Sequence, residues 1–187
     1  GLGDVLLLAA GDDVVLVERD ADGVTVEVPG NLDRTRRSGR VTLTDVAAEV
    51  LPGARATAIA YARTLFGAEA VGGASDCVDA AVEYAKVREQ FGRTIATFQA
   101  VKHHCANMLV ASESALACVW DAARAAGEDL AQFRLIAAAA GALAFPAYVR
   151  NAELNIQVHG GIGFTWEHDA HLHLRRALTV QSLLGGD

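Results

Sequence analysis

The sequence predicts a mainly α protein, in which a C-terminal four-helix bundle follows a partial antiparallel β domain. Two observations carry this prediction. Residues 1–52 contain short runs rich in Val, Leu and Thr, separated by Asp, Gly and Asn, which is typical of strands and turns. From residue 53 onward, apolar residues recur at helical spacing in alanine-rich segments. We therefore expect two domains, 1–52 and 53–187.

The β-rich part contains the candidate strands, in the runs DVLLLAA, DVVLVERD, GVTVEVPG and SGRVTLTDV. The sequence DADG at residues 20–23 is typical of a tight turn, so we expect a hairpin between the second and third runs. Because so few strands cannot bury two faces, we expect this part to pack on other material.

The helical part predicts four helices joined by short loops, and hence an antiparallel bundle. Their expected ranges are about 54–88, 98–126, 130–159 and 167–184. Gly72 and Gly73 interrupt the first helix, and we expect them to permit close helix packing rather than end the helix. Pro146 predicts a kink in the third helix.

Composition argues against several functional classes. Of the 187 residues, 52% are hydrophobic and 21% charged, which indicates a globular chain. A net charge of -7 without a basic stripe argues against nucleic-acid binding. The longest apolar run, 135–149, is short for a bilayer, so we predict no membrane segment. Three cysteines without paired spacing predict reduced thiols and a cytoplasmic protein. Because the first residue is glycine, we expect the sequence to be part of a longer protein.

Three histidines near the C-terminus, His168, His171 and His173, raise the question of a metal site. Their spacing places at most two of them on one helix face. No neighbouring cysteine or paired carboxylate completes a ligand set. We therefore predict no metal site.

Two motifs go beyond a plain helical bundle: YAKVREQFGRTIATFQAVKHHCANM at 84–108 and IQVHGGIGFTWEHDAHLHLRRA at 156–177. In this order and spacing they resemble the C-terminal helical domain of the acyl-CoA dehydrogenase family. The run GVTVEVPGNLDRTRRSGRVTLTDV is similar to the end of that family's middle β domain. The resemblance implies bound FAD, α,β-dehydrogenation of acyl-CoA thioesters, and assembly into a homo- or hetero-oligomer.

The first motif implies cofactor-binding residues. In the family, the arginine of the R-x-Q-F-G stretch binds the FAD pyrophosphate across a subunit interface, and this position is Arg88. The resemblance implies that Gln90 and Phe91 shape the same pocket, with the Phe91 ring as a flat apolar wall, and Gln99 matches a further cofactor-facing glutamine. Taken alone, Arg88 could equally be an arginine that snorkels at a helix end.

The second motif implies that Gln157 offers an amide to polar cofactor atoms. It also implies that Gly160, Gly161 and Gly163 let the backbone approach the dinucleotide closely. No strand precedes these glycines and their spacing differs from that of a Rossmann fingerprint.

The catalytic base of the family is missing at both of its known positions. The usual glutamate, just before a glycine at the end of the last helix, corresponds to Leu184. Other members carry the base on the first helix of the bundle before an arginine, and here Arg63 is preceded by Ala62. Glu69 and Asp187 remain as weak candidates for a displaced base.

Three interpretations follow. The chain resembles a base-less subunit of a heteromeric acyl-CoA dehydrogenase, or a fragment of one, which completes a shared FAD site and is inactive by itself. Alternatively, it is a competent acyl-CoA dehydrogenase with a displaced base. The third possibility is a non-enzymatic helical interaction module, against which the retained Arg88 and Gln157 argue.

Overall fold

The computed structural model describes residues 4–36 and 38–184, and the chain divides into two compact units, Gly1–Ala60 and Tyr61–Asp187. The first unit holds five strands and the first residues of helix α1. The strands are β1 (Val5–Ala10), β2 (Asp13–Glu18), β3 (Val24–Glu27), β4 (Arg40–Leu43) and β5 (Glu49–Leu51).

The strands form two antiparallel sheets, one in the order β1-β2-β5 and one in which β3 pairs with β4. The predicted hairpin at DADG is therefore wrong, because β2 does not pair with β3. The tight hairpin instead joins β1 and β2, where Ala10 pairs with Asp13 and Gly11 adopts a positive φ of 62°. After β2, the Ala21 amide donates to the Glu18 carbonyl at 3.2 Å, and this turn leads to the second sheet.

Four α-helices were predicted, and the described residues contain four: α1 (Arg55–Val87), α2 (Gln99–Ala125), α3 (Leu130–His159) and α4 (Ala170–Leu184). A two-residue hairpin not predicted from the sequence, β6 (Glu89–Gln90) with β7 (Arg93–Thr94), lies between α1 and α2. Before α3, the Asp129 carboxylate caps the helix by accepting hydrogen bonds from the amides of Ala131 and Gln132. Helix α3 continues through Pro146.

Residue pairings across the bundle give the helix directions. Tyr61 near the start of α1 donates to the Ala126 carbonyl just after the end of α2, so these two helices run antiparallel. Glu69 on α1 pairs with Arg176 on α4, and Asp76 further along pairs with the earlier His173, so α4 also runs antiparallel to α1. The predicted antiparallel bundle is confirmed.

Small residues allow α1 and α3 to approach closely. At Gly73, an added Cβ would collide with the ring of Tyr148 on α3, whereas at the neighbouring Gly72 it would meet nothing within 4 Å. The expectation that the glycine pair permits close packing therefore holds for Gly73. Because Tyr148 is buried, its ring has little room to move away.

The substitution Gly73→Ala should lower the free energy of unfolding by about 1–2 kcal/mol, because the clash with Tyr148 outweighs the gain in helix propensity. The matched control Gly72→Ala should stabilise the chain by about 0.5–1 kcal/mol, since its side chain enters open space. Chemical denaturation monitored by circular dichroism measures both changes. Two changes of the same sign would contradict the proposed packing role of Gly73.

A buried asparagine on α3 connects three helices. The Asn151 amide lies within hydrogen-bond distance of the Ala74 carbonyl, the Met108 carbonyl and the Ser112 hydroxyl, at 3.2, 3.1 and 2.8 Å. Because a buried amide is costly without partners, these contacts favour one register of the helices over others.

Helix α3 and the turn after it, Leu130–Phe164, could cross a membrane by length and composition alone, with a mean hydropathy of 1.4. The apolar run 135–149 noted in the sequence was therefore too short a segment on which to judge whether the chain contains a membrane-spanning helix. Within the bundle, α3 packs against α2 and α4 and buries the polar side chains of Asn151 and Asn155. A core helix of a bundle explains this composition, and the absence of a membrane segment stays a prediction.

Candidate functional site

The end of α1 presents two side chains of the candidate site on one helix face. Tyr84 and Arg88 are four residues apart, and the Arg88 amide donates to the Tyr84 carbonyl at 2.9 Å, which extends the helical hydrogen bonding by one residue. The Arg88 carbonyl then accepts from the Ile95 amide at 2.8 Å. This second bond closes the base of the β6–β7 hairpin and fixes the direction in which Arg88 leaves the helix.

The hairpin has Phe91 and Gly92 at its tip, with positive φ angles of 56° and 75°. Two successive positive φ angles are typical of the tight turns that join two-residue hairpins. Glycine adopts this conformation freely, whereas a phenylalanine does so at a cost. The Phe91 ring is 91% exposed and meets Phe98 edge-on, with the ring centroids 6.2 Å apart.

The end of α3 supplies the opposite wall. Gly160 follows the helix with φ 63° and ψ -138°, a conformation suited to glycine, and its amide donates to the Ile156 and Gln157 carbonyls. A 3₁₀ turn, Gly160–Phe164, begins here. Gly163 is buried, and a Cβ there would lie 2.8 Å from the Ile156 carbonyl oxygen. Gly163 is thus needed for close packing against α3, and its contact with a cofactor stays a prediction.

These two walls enclose a cavity of about 380 Å³ on the surface of the bundle. Its lining includes four of the predicted cofactor residues, Arg88, Gln90, Gly160 and Gly161. Within residues 4–36 and 38–184, no acidic side chain pairs with the Arg88 guanidinium, and an added Cβ at Gly161 would enter open space. A free guanidinium, an amide and an open glycine turn suit the pyrophosphate of a dinucleotide such as FAD.

The remaining lining residues are Tyr84, Ile95, Val158, His159 and Ile162. His159 was not predicted as a site residue. Its ring stacks on Tyr84, at 4.3 Å between centroids and 28° between planes, and also contacts His168 at 4.3 Å between centroids. Burial lowers the pKa of His159 from its ordinary value of 6.5; a hydrogen bond to the Asn155 carbonyl opposes this shift and the nearby His168 adds to it.

Three predicted cofactor residues lie outside this cavity. Phe91 is at the hairpin tip, and Gln99 is exposed at the first position of α2. Gln157 is exposed on α3 and lines a separate cavity of about 590 Å³ together with Arg150 and Gln181. Their contact with a cofactor stays a prediction, which for Phe91 and Gln99 requires a ligand that extends beyond the cavity.

The two expected base positions lie close together. The Arg63 side chain on α1 reaches the carbonyl oxygen of Leu184 at the end of α4, with Nε 3.5 Å from that oxygen. Leu184 and Ala62, the residue before Arg63, are both half-buried. The structure therefore brings both expected positions to one place in the bundle, and both of them carry hydrocarbon side chains.

Glu69 lies deeper in the bundle than a surface glutamate. Its carboxylate forms an ion pair with the Arg176 guanidinium, and the two side chains are only 30% and 23% exposed. At least one oxygen of this carboxylate, Oε1, is therefore engaged by Arg176, and the role of Glu69 as a displaced base stays a prediction. Asp187, the other weak candidate, lies outside the described residues.

The three C-terminal histidines contact three different partners. His168 packs on His159, His171 lies 5.0 Å from the ring of Trp166, and Nε2 of His173 lies 3.0 Å from Asp76. Among the described residues, no group of three His, Cys, Asp or Glu side chains could hold a metal ion.

Comparisons with known proteins place these observations in a family. The family model described as "Acyl-CoA dehydrogenase, C-terminal domain" matches residues 53–187. The chain is 46% identical over 185 residues to acyl-CoA dehydrogenase FadE34 of Mycobacterium tuberculosis, and the match covers 98% of this chain and 26% of that protein.

Two solved structures share the fold. A variant of the Tcur3481–Tcur3483 steroid ACAD matches with a TM-score of 0.89 and 30% identity, over 97% of this chain and 51% of that one. The ChsE4–ChsE5 complex from Mycobacterium tuberculosis matches with a TM-score of 0.89 and 26% identity, over 99% of this chain and 52% of that one. The chain thus spans about a quarter of FadE34 and about half of each structural neighbour.

Proposed function

Because the chain belongs to the acyl-CoA dehydrogenase family, we propose that it contributes one wall of an FAD site in an acyl-CoA dehydrogenase assembly without supplying the catalytic base. Family membership rests on the match over residues 53–187 and agrees with the fold predicted from the sequence. The acyl-CoA substrate, the oligomer and the division of roles between chains are parts of this proposal.

The observation that carries the proposal is the cavity beside Arg88. An arginine without an acidic partner among the described residues would gain charge-assisted hydrogen bonds from a pyrophosphate. Gln90 adds an amide donor, and the open turn at Gly160 and Gly161 leaves room for phosphate or ribose near the backbone. In this role the chain binds and orients the cofactor.

The base positions support the second half of the proposal. Bound FAD supplies the acceptor for the hydride that leaves the β-carbon of an acyl-CoA. Removal of the α-proton requires a base, and neither Leu184 nor Ala62 can accept a proton. Glu69, the candidate for a displaced base among the described residues, forms an ion pair with Arg176. The proton acceptor would therefore come from another chain or another part of the protein.

The site also supports assembly. Arg88 and Gln90 are exposed on the bundle surface, so the cavity covers a ligand from one side only. A dinucleotide held there would need a second surface to enclose its other side. The similar ChsE4–ChsE5 structure is a complex of two proteins. This similarity supports a second chain as the surface that encloses the other side of the ligand.

We therefore expect this polypeptide, purified alone as a monomer, to retain no stoichiometric flavin. Co-expression with its partner chain should yield a complex with the absorbance of bound flavin, because the partner encloses the exposed side of the cavity. Absorbance spectra and size-exclusion chromatography measure both quantities on the same samples. Stoichiometric FAD on the monomer would refute the shared site, and a flavin-free complex would refute the proposed function.

A further inference from the structure

His159, in the wall of the cavity, has no assigned role, yet its imidazole ring is closely packed. The His159 side chain is only 6% exposed, yet it lines the cavity beside Arg88. Its ring contacts Tyr84 from α1 and His168 from the segment before α4, each at 4.3 Å between ring centroids. Three parts of the chain thus fix the position of one imidazole.

The hydrogen bond at Nδ1 determines which nitrogen of His159 carries the proton. Nδ1 lies 2.8 Å from the Asn155 carbonyl oxygen. A carbonyl oxygen only accepts, so Nδ1 must donate, and the neutral ring then has its lone pair on Nε2. Nε2 is consequently a hydrogen-bond acceptor.

Nε2 is also accessible. No described residue hydrogen-bonds to it, and it is not among the buried side-chain nitrogen and oxygen atoms that lack a partner. His159 lines the cavity, and Nε2 is its solvent-accessible ring nitrogen. The cavity therefore has an oriented acceptor in addition to the donors of Arg88 and Gln90.

We propose that His159 is a ligand-recognition residue whose neutral Nε2 accepts a hydrogen bond from a ribose hydroxyl or the exocyclic amine of the dinucleotide bound beside Arg88. This inference rests on the proposed FAD site and adds a specific contact to it. Phosphate oxygens have no proton to give to Nε2, so the two residues recognise different parts of the ligand. Arg88 binds the anionic part, and His159 binds a neutral donor next to it.

The surroundings of His159 keep this acceptor in place at neutral pH. The titratable or charged groups that face it are Tyr84, His168 and the cavity residue Arg88. Burial lowers the pKa of His159 below 6.5, and a positive charge on His168 would lower it further. A protonated ring would turn Nε2 into a donor. Affinity for the ligand should therefore be constant above pH 6.5 and fall as the pH drops through the lowered pKa.

The test uses the assembled, flavin-binding protein. His159→Phe keeps an aromatic ring in contact with Tyr84 and His168 but removes the acceptor. It should weaken FAD binding about five- to tenfold at pH 7.5 and abolish the fall in affinity at acidic pH. His159→Gln, which retains an amide oxygen, should restore part of the affinity. The matched control His173→Phe changes an imidazole that pairs with Asp76 on α1 and does not line the cavity, and it should bind FAD as the wild type does.

A second measurement does not depend on retained flavin. Nitrogen-15 spectra of labelled histidines, recorded while ADP is added, should shift the Nε2 resonance of His159 toward that of a hydrogen-bonded acceptor. Inosine diphosphate, which lacks the exocyclic amine, separates the two donors: an equal shift with it assigns the ribose hydroxyl, and a lost shift assigns the amine.

The outcomes separate this inference from the proposed function. If wild type and His159→Phe bind FAD equally, with the same pH profile, the inference fails while the FAD site stands. If the Phe variant misfolds, unchanged Nε2 resonances with ADP in the wild type overturn the inference, and a shift supports it. If the wild-type complex holds no flavin, the proposed function fails, and an unshifted Nε2 resonance then removes the inference as well.

Discussion

Arg88→Ala is expected to weaken FAD retention in the assembled protein about 30- to 150-fold, the largest effect of any single cavity substitution. Arg88 is the cationic residue in the cavity lining, and no acidic side chain among the described residues competes for its guanidinium. Loss of charge-assisted hydrogen bonds to a pyrophosphate costs about 2–3 kcal/mol. Equilibrium dialysis or flavin fluorescence during dilution measures the change.

The matched control for this substitution is Arg93→Ala on the same hairpin. Arg93 is exposed, stacks over the Phe98 ring at 4.2 Å and does not line the cavity. Its removal changes the net charge by the same amount as Arg88→Ala. We expect a small loss of stability, about 0.5–1 kcal/mol, with FAD affinity close to that of the wild type. Equal loss of flavin from both variants, or from neither, would remove Arg88 from the site.

The helices were predicted to within a few residues because their signals are local. Alanine-rich segments with apolar residues at helical spacing, bounded by Gly127 and Asp129, leave little choice of structure. The interruption at Gly72 and Gly73 was also interpretable, because a helix broken there could not present one continuous apolar face. Only the structure shows that Tyr148 is the residue that requires Gly73.

Strand pairing was less predictable because similar turn sequences occur both between paired strands and between strands that do not pair. DADG resembles a hairpin turn as closely as the Gly11–Asp12 loop does, but only the latter joins two paired strands. The β6–β7 hairpin was missed for a different reason. It is two residues long on each side, and Phe91 at its tip has a positive φ that phenylalanine disfavours, so local propensity gives no signal.

The candidate site was predicted in part. The resemblance indicated Arg88, Gln90, Gly160 and Gly161, and the structure brings these residues to one cavity. His159 escaped prediction because its surroundings come from partners distant in sequence: Tyr84 lies 75 residues earlier. A lone histidine at a helix end carries no such information. The sequence did contain one signal for this part of the site. Tyr84 and Arg88 are four residues apart, which places both side chains on one helix face.

The last prediction concerns the missing base. When this chain is the sole acyl-CoA dehydrogenase chain present, exchange of the acyl-CoA α-proton with solvent deuterium should be about 10²- to 10⁴-fold slower than in an assembly that contains a base-bearing chain. The reason is that both expected base positions, Leu184 and Ala62, carry hydrocarbon side chains that cannot accept a proton. Mass spectrometry of the recovered thioester measures the exchange, and a ferrocenium acceptor measures the dehydrogenation.

Glu69→Gln in the complete assembly tests whether a displaced base does the work instead. Because Arg176 holds the Glu69 carboxylate inside the bundle, we expect turnover to stay within about twofold of the wild type. The substitution should also lower the free energy of unfolding by about 1–3 kcal/mol, because the partly buried Arg176 loses its charged partner. A hundredfold drop in turnover, with flavin content and circular dichroism unchanged, would instead identify Glu69 as the general base. In that case the chain would be a competent dehydrogenase, and Arg176 would be the residue that positions its carboxylate.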